Sequence, residues 1–144
     1  MYYLDANAFV YPALYDGEKA TGGAALLTSI IAGQLGGATA SLTIDEVVYV
    51  LAQHEDREMA IAQGKRLLEL PHLRILDVEG IHLLQALSSM ETNSVLSPRD
   101  AIHYAVMTDH GIFSVVSDDQ DFDEVPDIER TPLESFSDTD PTAL

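Results

Sequence analysis

The chain contains no cysteine. Disulfides, thiolate zinc sites and thiol nucleophiles are excluded together. Positive charge is scarce: seven Lys plus Arg stand against 24 Asp plus Glu, and Lys19 and Lys65 are the only lysines. The formal net charge of -17 argues against the basic footprint from which most nucleic-acid binders draw their affinity. Such a composition suits concentrated salt, where the Debye length shrinks to about 3 Å at 1 M. A halophilic origin is therefore expected, the alternative being an acidic mesophile domain kept soluble by its charge. Long apolar runs are missing too. The stretch AALLTSIIAGQL is interrupted by Thr, Ser and Gln and falls short of a membrane span. The opening MYYLDANAF has neither the basic nor the long apolar region of a signal peptide. A soluble, cytoplasmic protein with no membrane partner is the expectation.

What is present suits one domain with a real core, since 47% of the 144 residues are hydrophobic. YYLD reads as a strand, ANAFVYPAL as a helix or turn, and the Gly-rich DGEKATGGA as a connection. A helix is expected from about Gly23 to Leu35, then a short buried strand at ATAS. Helices follow from Thr43 and over REMAIAQGKRLLEL. LRILDV reads as a strand, EGIHLLQALSSMET and SPRDAIHYAVMTDHG as helices. IFSVVS is a strand apolar on both faces, and a last short strand lies at IERTPL. The polar end SFSDTDPTAL reads as a tail, which divides the chain into a domain over 1–135 and a tail over 136–144. Alternating elements predict an α/β fold, a central mostly parallel β-sheet flanked by helices.

The acids raise the functional question. SVVSDDQDFDEV packs five acidic side chains into twelve positions with no basic one. A calcium loop of the EF-hand type is excluded, because it needs Gly at its sixth position and Glu at its twelfth, where this chain has Glu124 and Arg130. Across the whole chain, Asp5 ends the first strand, Glu46 and Asp100 fall in the first turns of two helices, and Asp119 and Asp121 follow the central strand. Each has a plain explanation alone. Thr43 to Glu46 and Ser97 to Asp100 match capping boxes, the second with Pro98 at the first helical position, while Asp5 and Asp119 suit a cap and a turn.

Together they suggest more, because strand C-termini and neighbouring helix N-termini of an open parallel sheet converge on one crevice. Carboxylates gathered there repel one another, so some protonate or a cation sits among them. Oxygen-only ligands select Mg²⁺ or Mn²⁺ over zinc, and such an ion suits phosphoryl chemistry, with no nucleophilic side chain required.

At these residues the chain resembles the PIN-domain family, specifically the VapC-like ribonuclease toxins of VapBC-type toxin-antitoxin pairs. The matching stretches are YYLDANAF, SLTIDEVVYVL, SPRDAIHYAVM and VVSDDQDFDEVPDIER, with D-A-I-H and D-x-D-F the most specific parts; the likeness runs to about Leu133. The resemblance implies a PIN-like fold and a catalytic acidic site of Asp5, Glu46, Asp100 and Asp119. Of these, Asp5, Asp100 and Asp119 are implied as metal ligands. Asn7, Ser117 and Asp121 are implied to support the site, and Arg99 to touch RNA phosphate. Asn7 departs from the hydroxyl residue usual at that position, and Asp118 reads as an extra, solvated acid. His103, sharing a helix face with Asp100, is implied to be a packed residue with one hydrogen bond rather than a base. The histidines at 54, 72, 82 and 110 show no zinc spacing, and Arg57, Lys65 and Arg66 read as a helix face paired with Glu55, Glu58 and Glu69.

The activity so implied is Mg²⁺- or Mn²⁺-dependent endoribonuclease action. The partners so implied are RNA, a cognate antitoxin and a second copy in a homodimer. The alternatives are an RNA-processing nuclease without a toxin role, or a catalytically silent binding module. A phosphatase of the haloacid dehalogenase type is set aside, because Asp5 is followed by Ala6, Asn7, Ala8 and Phe9 rather than D-x-D-x-T/V.

Overall fold

Tyr3 and Leu4 are adjacent, fully buried and turned to opposite faces of a strand, so each seeds one of two cores. A computed structural model describes residues 1–138. Strand β1 (Tyr2–Leu4) lies at the centre, flanked by β2 (Gly37–Ala40) and β4 (Ser114–Val116), with β3 (Leu73–Leu76) and β5 (Glu129–Thr131) at the edges. Every pairing is parallel, with Tyr3 opposite Ala38 and Val115 and Leu4 opposite Val116. The expected α/β sheet is thus parallel throughout.

Parallel neighbours need crossovers. Helices α1 (Asn7–Leu14) and α2 (Glu18–Ile31) join β1 to β2, α3 (Ser41–His54) and α4 (Arg57–Leu68) join β2 to β3, and α5 (Gly80–Thr92) and α6 (Pro98–Asp109) join β3 to β4. One core packs Leu4, Leu26, Ile30, Val47, Leu51 and Leu133; the other packs Tyr3, Ala38, Val106, Met107, Val115 and Phe122. Among the described residues no helix is long and apolar enough to cross a membrane.

The structure departs from the sequence reading in three places. The segment read as a Gly-rich connection lies mostly in α2, because Gly22 and Gly23 serve close packing rather than a turn. A Cβ at Gly22 would sit 1.9 Å from the Leu133 carbonyl oxygen, and one at Gly23 would sit 2.7 Å from Pro12 Cγ. Helix α3 begins at Ser41 with Ala40 as its cap, so the Thr43–Glu46 capping box does not form. Thr43 is buried, and Glu46 is free to serve elsewhere. Finally, Phe136, read as the start of the tail, is buried in a short 3-10 helix, Leu133–Phe136, edge-on to Tyr2 at 5.6 Å. The rest of the tail from 139 onward lies outside the described residues. The other predicted cap is present: Ser97 Oγ accepts the Asp100 N–H at 3.2 Å, with Pro98 opening α6.

Candidate active site

The strand order β3-β2-β1-β4-β5 reverses direction at β1, which makes the C-terminal ends of β1 and β4 the switch point where parallel sheets place ligands. Asp5 leaves β1 there and Ser117 leaves β4. Their side chains tie the two strand ends together. Ser117 Oγ donates to Asp5 Oδ2 at 2.6 Å, and the Ala6 N–H donates to Asp5 Oδ1 at 2.8 Å. Asn7 adds longer bonds from Nδ2 to Asp5 Oδ2 at 3.4 Å and to Ser117 Oγ at 3.3 Å, while its Oδ1 accepts the Asp118 N–H at 3.1 Å. Ser117 Oγ also accepts the Asp119 N–H at 2.9 Å. The Ser117 hydroxyl is thereby filled, and it orients Asp5. Asn7, without a hydroxyl, does the bridging work with its amide.

Glu46 enters from α3 and Asp100 from the first turn of α6, while Asp119 caps a 3-10 helix, Gln120–Glu124, by accepting the Asp121 N–H at 2.9 Å. The structure sorts these acids into two groups rather than one. Asp5, Glu46 and His103 form the first, and Asp100, Asp119 and Asp121 the second; in each, ligand atoms lie within 4.8 Å of one another. The two groups interact. Burial pushes the Asp100 carboxyl up to about 6, and the negative charges of Asp119 and Asp5 push in the same direction. Burial likewise raises Asp5, with Glu46 adding to it, against the opposing pull of His103, Ser117 and the Ala6 N–H.

His103 is the residue whose part in the site is larger than the sequence reading gave it. It is 1% exposed and carries two hydrogen bonds rather than one: Nδ1 to the Tyr3 hydroxyl at 2.5 Å and Nε2 to Glu46 Oε1 at 2.5 Å. Burial alone would lower the imidazole, but the Glu46 bond and the charges of Asp5, Glu46 and Asp100 outweigh it and raise it.

Two further acids of the Asp-rich turn, Asp118 and Asp123, have cationic partners. Asp118, expected to be solvated, meets Lys19 Nζ at 2.7 Å and accepts from the Tyr11 hydroxyl at 2.9 Å. Although burial opposes it, these contacts hold its carboxyl below the usual range. Arg130 grips Asp123 through two bonds of 2.9 and 3.1 Å and donates a third, at 3.0 Å, to the Ser117 carbonyl, bracing the turn that carries Asp119. Sequence reasoning missed Arg130 as a site-supporting residue; its signal was a lone cation just beyond a run of acids. Arg99 is exposed and makes no ion pair among the described residues. No ion pair joins Arg57, Lys65 or Arg66 to Glu55, Glu58 or Glu69 among the described residues, and all six are exposed, so the expected pairing does not form.

The donor set suits a hard divalent cation. Apart from the His103 ring nitrogen it is built of carboxylate oxygens, and two of the carboxyls are driven upward by burial and like charge, a strain that a cation relieves. Asp5, Glu46, Asp100 and Asp119 are the residues that would hold it.

A sequence model of the PIN domain matches residues 2–128. The chain belongs to the PIN-domain family. PIN domains are nucleases, and solved structures share this fold. VapC20 of Mycobacterium tuberculosis, described as a toxin that cleaves the sarcin-ricin loop, superposes with a TM-score of 0.72 at 17% identity, over 86% of this chain and 94% of that one. The DNA-bound VapBC of Salmonella typhimurium matches with a TM-score of 0.66 at 20% identity, over 92% and 97%. FitAcB of Neisseria gonorrhoeae matches with a TM-score of 0.64 at 19% identity, over the whole of both chains. No curated protein matches in sequence.

Proposed function

We propose that this PIN domain is a metal-dependent endoribonuclease, the toxin of a VapBC-type pair, acting in the cytoplasm on structured RNA. The observation that carries the reading is the pair of adjoining acidic groups, Asp5 with Glu46 and Asp100 with Asp119, electrostatically coupled through Asp5 and Asp100 at the switch point of the strand order. When bound, Mg²⁺ or Mn²⁺ supplies polarisation of the phosphate and balances charge on the leaving oxygen. The chain's own residues do the rest. Ser117, Asn7 and the Ala6 N–H fix the Asp5 carboxylate. Asp100, raised to about 6 by burial and by Asp119 and Asp5, offers a carboxylate whose repulsion a cation would relieve. Arg99, exposed beside Asp100 and without an ion pair among the described residues, would receive an RNA phosphate.

The fold offers matching surfaces for both protein partners. A groove of about 270 Å³ among α1 to α4, lined by Phe9, Pro12, Leu27, Val47, Leu51 and Leu67, takes the apolar side chains of an antitoxin segment. Basic residues of that segment then meet the carboxylates. In a chain of charge -17, the stretch from Gly80 to Met90 carries no Asp, Glu, Lys or Arg. Its Ile81, Leu83, Leu84 and Leu87 are exposed on α5, a face suited to a second copy.

The decisive experiment uses the Asp5→Asn/Asp100→Asn double variant with Mn²⁺ and a structured RNA. Cleavage and growth arrest on expression are expected to be lost. Undiminished cleavage by the folded double variant would remove both residues from the site.

A further inference from the structure

We propose that His103, backed by Tyr3, is a positioning residue that fixes Glu46 in the orientation from which it meets the cation of the acidic site. The inference rests on the reading of that site as a divalent-cation centre, and it concerns a residue whose position beside Asp5 and Glu46 would also suit direct ligation.

The hydrogen bonds decide between ligand and support. A metal-binding imidazole needs a bare ring nitrogen, and His103 has none. Nδ1 faces the Tyr3 hydroxyl and Nε2 faces Glu46 Oε1. The ionised Glu46 carboxylate can only accept, so Nε2 carries a hydrogen and donates it. That holds whether the ring is neutral or charged. With Nε2 so committed, the neutral ring presents Nδ1 as an acceptor to Tyr3, whose phenol burial keeps protonated. The ring is locked from the interior outward: Tyr3 sits on the central strand, fully buried, and His103 is buried one helical turn beyond Asp100. Edge-on packing of the two rings, with centroids 5.7 Å apart, holds the ring plane. Glu46 therefore spends Oε1 on His103, and Oε2 has no hydrogen-bond partner among the described residues.

This has a physical purpose. Glu46 lies in the second turn of a helix with no side-chain cap, on a long flexible side chain. Asp5 and Asp119, by contrast, are short and held by backbone and hydroxyl donors. Partners of metal-ligating groups commonly set their orientation, and losing one costs about 10–100-fold in metal affinity.

The test is Mn²⁺ binding to the purified full-length chain, followed by calorimetry and by the electron paramagnetic resonance signal of free Mn²⁺. His103→Leu, of similar bulk without a donor, is expected to weaken binding about 10–100-fold. His103→Gln, which keeps an N–H toward Glu46, should recover most of the loss. Tyr3→Phe deletes one oxygen only and should weaken binding by a smaller factor. In a Glu46→Gln background, His103→Leu should cost nothing further, because the group it orients is gone. Equal losses in both backgrounds, or no rescue by Gln, would show a general packing role and overturn the proposal. Should His103→Leu fail to fold, Tyr3→Phe in the two backgrounds carries the same comparison. Absence of Mn²⁺ binding by the parent protein would sink the cation centre itself. Normal binding by the parent and by all His103 and Tyr3 variants would sink only the positioning role.

Discussion

Replacing Asp100 with Asn should stabilise the cation-free protein while removing much of what a cation adds to it. Burial and the neighbouring Asp119 lift the Asp100 carboxyl from the usual 3.8 to about 6. By linkage this corresponds to about 3 kcal/mol of destabilisation once the group is ionised. Asp100 remains partly open to water, which screens the repulsion, so about 1 kcal/mol is the realistic expectation. For a domain of this size that is a rise of about 2–4 °C in Tm. The sign follows from an acid whose folded-state value is raised. Its penalty is complete above about 6, fades as the pH falls, and is absent below 3.8, where the group is protonated in both folded and unfolded chains. Thermal unfolding in a chelator should therefore separate variant from parent at about pH 7.5 and bring them together near pH 4. Added Mn²⁺ should raise the parent's Tm by mass action and the variant's much less. The reasoning fails if Asn destabilises the chelated protein at about pH 7.5, or if its advantage persists unchanged near pH 4.

Two further outcomes test the packing and the surface. Gly22→Ala should lower Tm despite gaining about 1 kcal/mol of helix propensity, because its Cβ would sit 1.9 Å from the Leu133 carbonyl oxygen and such overpacking costs about 1–3 kcal/mol. Gly80→Ala, with nothing within 4 Å of the new Cβ, is the control and should leave Tm unchanged or slightly raised; a fall in both would discredit the steric account. Leu84→Glu with Leu87→Glu on α5 should convert a dimer to a monomer in sedimentation equilibrium, whereas a parent that sediments as a monomer would remove that face from consideration.

The acidic positions were legible because each belongs to a local signal: Asp5 at a strand end, Asp100 in a Ser-Pro-capped helix start, Asp119 after an apolar strand. The glycines misled for a local reason also. Gly22 and Gly23 read as breakers, yet they permit α1 and the Leu133 segment to press against α2, a gain that exists only when those elements are already in place. The capping box at Thr43 was a pattern without a structure, since helix α3 starts at Ser41 and buries Thr43.

By itself, then, the sequence determined the alternation of strand and helix and the location of each acid along it, because hydrophobic period and capping chemistry act over a few residues. Which acids face one another, and what steadies each, was decided by the tertiary structure. Tyr3 and His103 stand 100 residues apart, His103 and Glu46 stand 57 apart, and Asn7 and Ser117 stand 110 apart. These contacts arise from the order and register of five parallel strands, and hydrogen bonds of fixed length form only after the crossovers have brought remote segments to the same edge.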